Sequence, residues 1–184
     1  MLTIPFMEVA IEEAAGALGL EPAAFRSFYE DALPQVYGYL LHRCGGVSAV
    51  AEDLTQETFV AAVAELKKGR RVEAPIPWIY GIARHKLLDH YRRQERIETT
   101  VSIDPEPGLS DVAIDESGTD AHESAIAALA SVPASQRAVL VLRYLDGYSM
   151  SEIAALLEKS EKAVESLLGR GRESFRRAYS EASA

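Results

Sequence analysis

The sequence predicts an all-α fold, two small helical domains joined by a flexible acidic linker. Three observations carry that expectation. Apolar residues recur at three- and four-residue spacing through residues 23–96 and again after residue 125, and no segment alternates like a half-buried strand. Between these stretches, residues 97–124 hold eight acids and no Lys or Arg. Pro105, Pro107, Gly108 and Gly118 break any apolar period there. Residues 147–172 read as two short helices around a tight turn.

Taken in order, residues 1–22 are an N-terminal extension. Its Phe6, Val9, Leu18 and Leu20 either pack as a short amphipathic segment or belong to a frayed tail. In the first domain, residues 23–96, Phe25, Phe28, Tyr29, Leu33, Tyr37, Leu40 and Leu41 mark the apolar face of a helix. A second helix runs from near Val47 to about Lys67, with Val50, Ala51, Leu54, Ala62, Val63 and Leu66 on its core side. A third begins after Pro77, a residue suited to a first helical turn, and carries Trp78, Ile79, Ile82, Ala83, Leu87 and Tyr91. Residues 97–124 are the linker, extended by its own repulsion; a long surface loop within one domain is the competing reading. The second domain, residues 125–184, contains helices around Glu123–Ala130 and from Pro133 to about Leu145, followed by the helix pair.

The formal net charge of −9 is unevenly spread. The extension carries −4, the first domain +2, the linker −8 and the second domain +1. A chain this acidic gains little from non-specific phosphate attraction, so work on DNA calls for a partner that holds it there. No run of eighteen apolar residues exists to cross a membrane, and Glu8, Glu12 and Glu13 interrupt the N-terminal stretch, which argues against a signal peptide. The single Cys44 fits a reducing compartment. His42 and Cys44 do not make a metal site, and no nucleophile elbow, P-loop or paired catalytic carboxylate appears. No enzyme, metal or cofactor is expected.

Three clusters carry recognition chemistry. In the helix pair, Ser149 and Glu152 form a capping box and Ser160 caps the second helix. Ile153, Ala154 and Leu157 face Val164 and Leu168. This is a helix-turn-helix whose second helix fits a major groove, although any small helical hairpin shares the spacing. Lys162, Glu165, Ser166 and Arg170 fall on one side of that helix. On the second helix of the first domain, Asp53, Gln56 and Glu57 share an exposed stripe that either docks on a basic protein or is merely solvated. On the third, Arg84, Lys86, Arg92, Arg93 and Arg96 interleave with Trp78, Tyr80 and Tyr91. Arginines on phosphates with rings on unpaired bases suit single-stranded nucleic acid. The alternative is core aromatics beside a solvated basic helix end.

Residues 51–59 (Ala-Glu-Asp-Leu-Thr-Gln-Glu-Thr-Phe), then Trp78 to Ala83, Asp89, Arg92 and Arg93, resemble region 2 of bacterial extracytoplasmic-function (ECF) sigma factors. Leu129 to Pro133, Arg137, Val139, Leu140, Leu142 to Tyr144, Ser149, Glu152 to Ala154 and Ala163 to Ser166 resemble their region 4. The match spans residues 23–96 and 125–178 in the family's order, and neither has the long region 3 domain of primary sigma factors. The resemblance implies a region 2 bundle and a region 4 helix-turn-helix in a promoter-specificity subunit that binds core RNA polymerase and promoter DNA and promotes melting. Asp53, Gln56 and Glu57 would meet the β′ clamp helices. Trp78, Arg84, His85, Asp89, Arg92 and Arg93, with the loop from Lys67 to Pro77, would hold the −10 element. Ser160, Lys162, Glu165, Ser166, Arg170 and Arg172 would read the −35 element, while another face of region 4 meets the β flap. The linker would enter the active-site and RNA-exit channel, where its acids imitate nucleic acid. An anti-sigma factor would cover both domains. The resemblance also implies a cytoplasmic location with no stable membrane insertion.

The chain departs from the family at several positions. His85 stands where members carry Asn, which leaves the −10 preference open. Glu158 occupies a turn position usually held by Gly, and a left-handed non-glycine costs about 1 kcal/mol. Glu165 and Leu167 replace common basic residues, and Gly171 replaces Ala; Glu165 repels phosphate but can accept from cytosine N4. Two rival readings remain at this point: a self-sufficient helix-turn-helix regulator that binds duplex DNA without polymerase, and a sequestering or anti-sigma protein that binds no DNA.

Overall fold

The computed structural model describes residues 22–70, 72–100 and 120–182. The described chain is all-α, as expected. The order is α1 (Pro22–Arg43), α2 (Ser48–Lys67), α3 (Pro75–Thr100), α4 (Asp120–Ser131), α5 (Ala134–Leu140), a π-helical turn (Val141–Leu145), α6 (Met150–Leu156) and α7 (Glu161–Ala182). The N-terminal extension and the stretch 101–119 of the expected linker lie outside the described residues.

Contacts divide the chain into two compact units, one of Met1–Leu40 with Glu52–Lys86, the other of Leu41–Ala51 with Leu87–Ala184. In the first unit, Phe25 and Leu66 are buried, with Phe28, Val63, Val72 and Trp78 packed against them. Ala32, Val36 and Leu40 of α1 are fully buried, a stripe slightly rotated from the one the aromatic residues suggested. Thr58, also fully buried, donates its hydroxyl to the Leu54 carbonyl at 2.7 Å, which lets a polar side chain sit in the core without an orphaned group. α3 starts three residues earlier than the sequence pattern suggests. The first N–H groups of a helix have no intrahelical acceptor, so Pro75 and Pro77 are both tolerated in the first turn, and Trp78 N–H donates to Ala74 O at 3.1 Å.

In the second unit, α7 packs on α4, α5 and α6. Leu142, Ile153 and Val164 are fully buried at its centre. Burial of each such side chain stabilises by about 1.5–3 kcal/mol. Ala154, Leu157 and Leu168 are buried too, as the helix-turn-helix spacing predicted. The expected single helix from Pro133 is instead α5 followed by a π-helical turn, in which Asp146 N–H donates to Val141 O at 3.1 Å. The loop closing α1 also belongs to this unit. Gly45 there has φ 70°, and a Cβ on it would lie 3.0 Å from the Ala130 backbone.

Candidate nucleic-acid interface

The helix-turn-helix is built by local chemistry. Glu152 N–H donates to Ser149 Oγ at 3.3 Å, and Ser149 N–H donates back to Glu152 Oε2 at 2.8 Å, closing the capping box. Hydrogen bonds from the Ser149 hydroxyl and backbone hold the Glu152 carboxyl below its ordinary range. α6 ends in a Schellman motif, with Lys159 N–H donating to Ala154 O at 2.8 Å and Glu158 N–H to Ala155 O at 3.3 Å. Glu158 takes φ 56°, the one positive φ outside glycine among the described residues. The left-handed turn expected at this position is therefore present. Ser160 Oγ accepts from Ala163 N–H at 3.2 Å and starts α7.

On α7, Val164, Leu167, Leu168 and Gly171 face inward, while Lys162, Glu165, Ser166 and Arg170 are exposed together. Gly171 permits a close approach, since a Cβ would stand 3.2 Å from Gln136 O. Arg172, also exposed, follows Glu165 by two turns of α7. With Arg176 it lines an apolar groove of about 600 Å³ among Ile126, Leu129, Tyr144 and Phe175. Tyr144 and Leu145 are 58% and 50% exposed there.

On α2, Asp53 and Gln56 are exposed and Glu57 is partly so, paired with Lys86 at 3.3 Å. Val60, 64% exposed, extends the stripe one turn further. Sequence reasoning missed it, although an apolar residue seven positions after Asp53 on a polar face was a readable signal.

On α3, Arg84, His85, Asp89, Arg93 and Arg96 are exposed. The interleaved aromatics are not. Trp78 packs into the first unit's core, and Tyr80 stands edge-on to Tyr39 with centroids 5.1 Å apart. Tyr91 is buried and donates its hydroxyl to Arg43 O at 2.8 Å, and burial pushes its phenol well above the ordinary tyrosine range. Arg92 is engaged. Its Nη2 and Nε donate to Leu156 O at 2.7 and 3.1 Å, and its Nη1 to Asp89 Oδ1 at 2.9 Å. Cys44 is buried, which pushes its thiol up to about 12. Among the described residues, no three potential ligands cluster as a metal site would need, and no helix is long and apolar enough to cross a membrane.

Comparison with known proteins places these features in a family. Residues 28–97 match Sigma-70 region 2, and residues 122–175 match Sigma-70, region 4. The chain is 30% identical over 168 residues to the ECF RNA polymerase sigma factor BldN of Streptomyces coelicolor. That match covers 88% of this chain and 61% of BldN, so the chain spans less than two thirds of that relative's length. It is 31% identical over 157 residues to the ECF RNA polymerase sigma factor SigL of Mycobacterium tuberculosis, covering 84% of this chain and 88% of SigL. A co-crystal structure of the sigma factor RpoE with the anti-sigma factor NepR from Bartonella quintana shares the fold. It aligns at TM-score 0.50 and 21% identity over 84% of this chain and 96% of that one. Two sigma-70 regions in sequence order, with a capped helix-turn-helix in the second, place this chain in the sigma-70 family, among its ECF sigma factors.

Proposed function

We infer that this chain is a promoter-specificity subunit of bacterial RNA polymerase, with no catalytic chemistry of its own. It binds core polymerase, recognises −10 and −35 elements and promotes melting. The observation that carries this reading is the succession of the two sigma-70 regions on one chain. Its mechanism is differential binding: a region 2 that holds unpaired bases better than duplex shifts the promoter toward the melted state.

Within that reading, residues 23–96 and 125–184 act as the two binding domains, with 1–22 as an extension and 97–124 as linker. Asp53, Gln56 and Glu57, extended by Val60, form the β′ clamp contact; their shared exposure supports this. Arg84, His85, Asp89 and Arg93 face the −10 strand. Trp78, partly buried against the first unit's core, keeps an exposed part for the −10 strand, while the buried Tyr91 supports α3 from within. Ser160, Lys162, Glu165, Ser166, Arg170 and Arg172 address the −35 element, while the apolar groove that Arg172 also lines receives the β flap. An anti-sigma factor competes for the same faces. The chain works in the cytoplasm, where its polymerase is.

Sequencing the 5′ ends of transcripts made by core polymerase with this chain on genomic DNA tests the assignment. New starts sharing two upstream elements are expected. Tight, specific duplex binding without polymerase, with no new starts, would instead establish the self-sufficient regulator.

A further inference from the structure

Glycine is among the poorest helix formers, because it has the most backbone freedom to lose. One inside a helix therefore calls for a reason, and α7 holds two. Gly171 is buried, and a Cβ there would press on Gln136 O at 3.2 Å, so packing within the chain accounts for it. Gly169 has no such reason. It is exposed, and a Cβ on it would meet nothing within 4 Å. Gly38 of α1 and Gly81 of α3 are equally unopposed but partly buried. Among the described residues, Gly169 is thus the exposed helical glycine.

At about 100° per residue, Gly169 points about 150° away from the mean direction of Val164, Leu167, Leu168 and Gly171, the buried side of α7. Lys162 and Ser166 stand two turns and one turn before it on the same line. Arg170 and Arg172 flank that line on opposite sides. Both arginines are exposed, and neither is ion-paired among the described residues. Two acids lie one turn away. Glu173 is tied to Arg176 at 2.9 Å. Glu165 belongs to the first two turns of the helix, the part that meets base edges in a helix-turn-helix. Gly169, in the third turn, leaves a notch with no side chain on its floor, a hydroxyl at one end and a guanidinium on each side. Two cations and a neutral donor around an open floor match the oxygens of a phosphodiester.

We propose that Gly169 is a positioning residue: its notch seats one phosphodiester of the upstream promoter duplex against the α7 backbone, and so sets how deeply the recognition helix lies in the groove. This rests on the sigma-factor reading. With the strand backbone held at the third turn, Lys162, Glu165 and Ser166 meet the bases in one register. A methyl group on the notch floor would hold the strand off and stretch the bonds from Ser166 and the guanidiniums beyond hydrogen-bonding distance.

Holoenzyme assembled from core and the full chain, on a promoter taken from its own transcript starts, tests this. Gly169→Ala should raise the melting temperature of the free chain by about 2–4 °C, because alanine is the better helix former. The same variant should weaken promoter binding by about tenfold, the loss of one charge-assisted hydrogen bond, and by the same factor on every upstream sequence. Gains in stability with losses in binding exclude misfolding as the cause. Methylphosphonates replacing single phosphates through the upstream element form the second arm. One position should cost the wild-type holoenzyme about tenfold and the Gly169→Ala holoenzyme less than about twofold, since that contact is already gone. Unchanged affinity, a lowered melting temperature, a loss that varies with base sequence, or equal methylphosphonate penalties in the two proteins overturns the proposal. Transcription with the wild-type chain separates the failures. Its absence sinks the sigma-factor reading, whereas initiation by wild type with unchanged Gly169→Ala affinity removes the notch alone.

Discussion

Arg43→Met should destabilise the second unit by about 3 kcal/mol. Arg43 Nε and Nη2 donate to Asp146 Oδ1 at 2.9 and 2.6 Å, and the two side chains are only 16% and 10% exposed. Asp146 Oδ2 is buried with no hydrogen-bond partner among the described residues, so the carboxylate depends heavily on the guanidinium. Removing one member of a buried pair costs about 3–5 kcal/mol, because the other charge is left uncompensated. The residual exposure argues for the lower end. Replacing both members with apolar residues should be far milder, since buried pairs exchanged for well-packed apolar groups are often neutral. Arg43→Met with Asp146→Leu is therefore expected within about 1 kcal/mol of wild type, about 2 kcal/mol milder than Arg43→Met alone. Urea unfolding followed by circular dichroism measures this. With a slope of about 2–3 kcal/mol per molar, the single variant's midpoint falls by about 1–1.5 M. A fall below about 0.3 M, or a double variant no better than the single, refutes the reasoning.

Glu158→Gly should stabilise by about 0.5–1 kcal/mol: it relieves the left-handed backbone at φ 56°, less the glycine's greater unfolded-state entropy, and a lowered melting temperature would contradict it. The folded Cys44 thiol keeps its proton to about pH 12, whereas the unfolded thiol ionises from about 9. Its contribution is thus fully present below pH 9 and declines by about 1.4 kcal/mol per pH unit above it. Urea midpoints from about pH 8 to about pH 11 should fall less steeply in Cys44→Ala, and an unchanged slope would exclude this origin. Asp53→Ala with Gln56→Ala should weaken core binding in an anisotropy titration while shifting stability by less than about 0.5 kcal/mol; unaltered affinity removes the clamp assignment. Arg170→Ala should weaken −35 binding evenly across sequences and lower the salt slope by about one, whereas Glu165→Lys should change base preference. Identical preferences for Glu165→Lys and wild type in a saturation screen of the upstream element would remove Glu165 as a base reader.

The helix-turn-helix was the most legible part of the chain, because its signals are local. Ser149 and Glu152 lie three residues apart, and Ile153, Leu157, Val164 and Leu168 repeat at helical spacing over two turns. The first domain was legible in outline only. Aromatic bulk drew the α1 stripe toward Tyr29 and Tyr37, while the fully buried residues include Val36 and Ala32, the latter with a side chain too small to carry a strong hydrophobic signal. Thr58 reads as polar because its satisfying partner is a backbone carbonyl. The interleaved rings on α3 suggested stacking on bases, yet helical spacing alone cannot distinguish a ring that faces the core from one that faces solvent. The partners of Arg92 and Glu98, Leu156 O and Ala134 N–H, were not legible at all. They lie 64 and 36 residues away, and a polar contact at that separation leaves no periodic trace.

The π-helical turn at Val141–Leu145 has a consequence for how region 4 tolerates change. It accommodates one more residue than a regular turn, so the chain beyond it is rotated by about 100° from the course of an uninterrupted α-helix. Tyr144 and Leu145 reach the rim of the groove on that rotation. The rim is therefore set by residue count as much as by residue identity. Deleting a single position in this turn would re-phase the rim and the helix-turn-helix behind it together, although nearly every side chain remained. A length change of one is the more severe lesion here, and substitution scanning is blind to it.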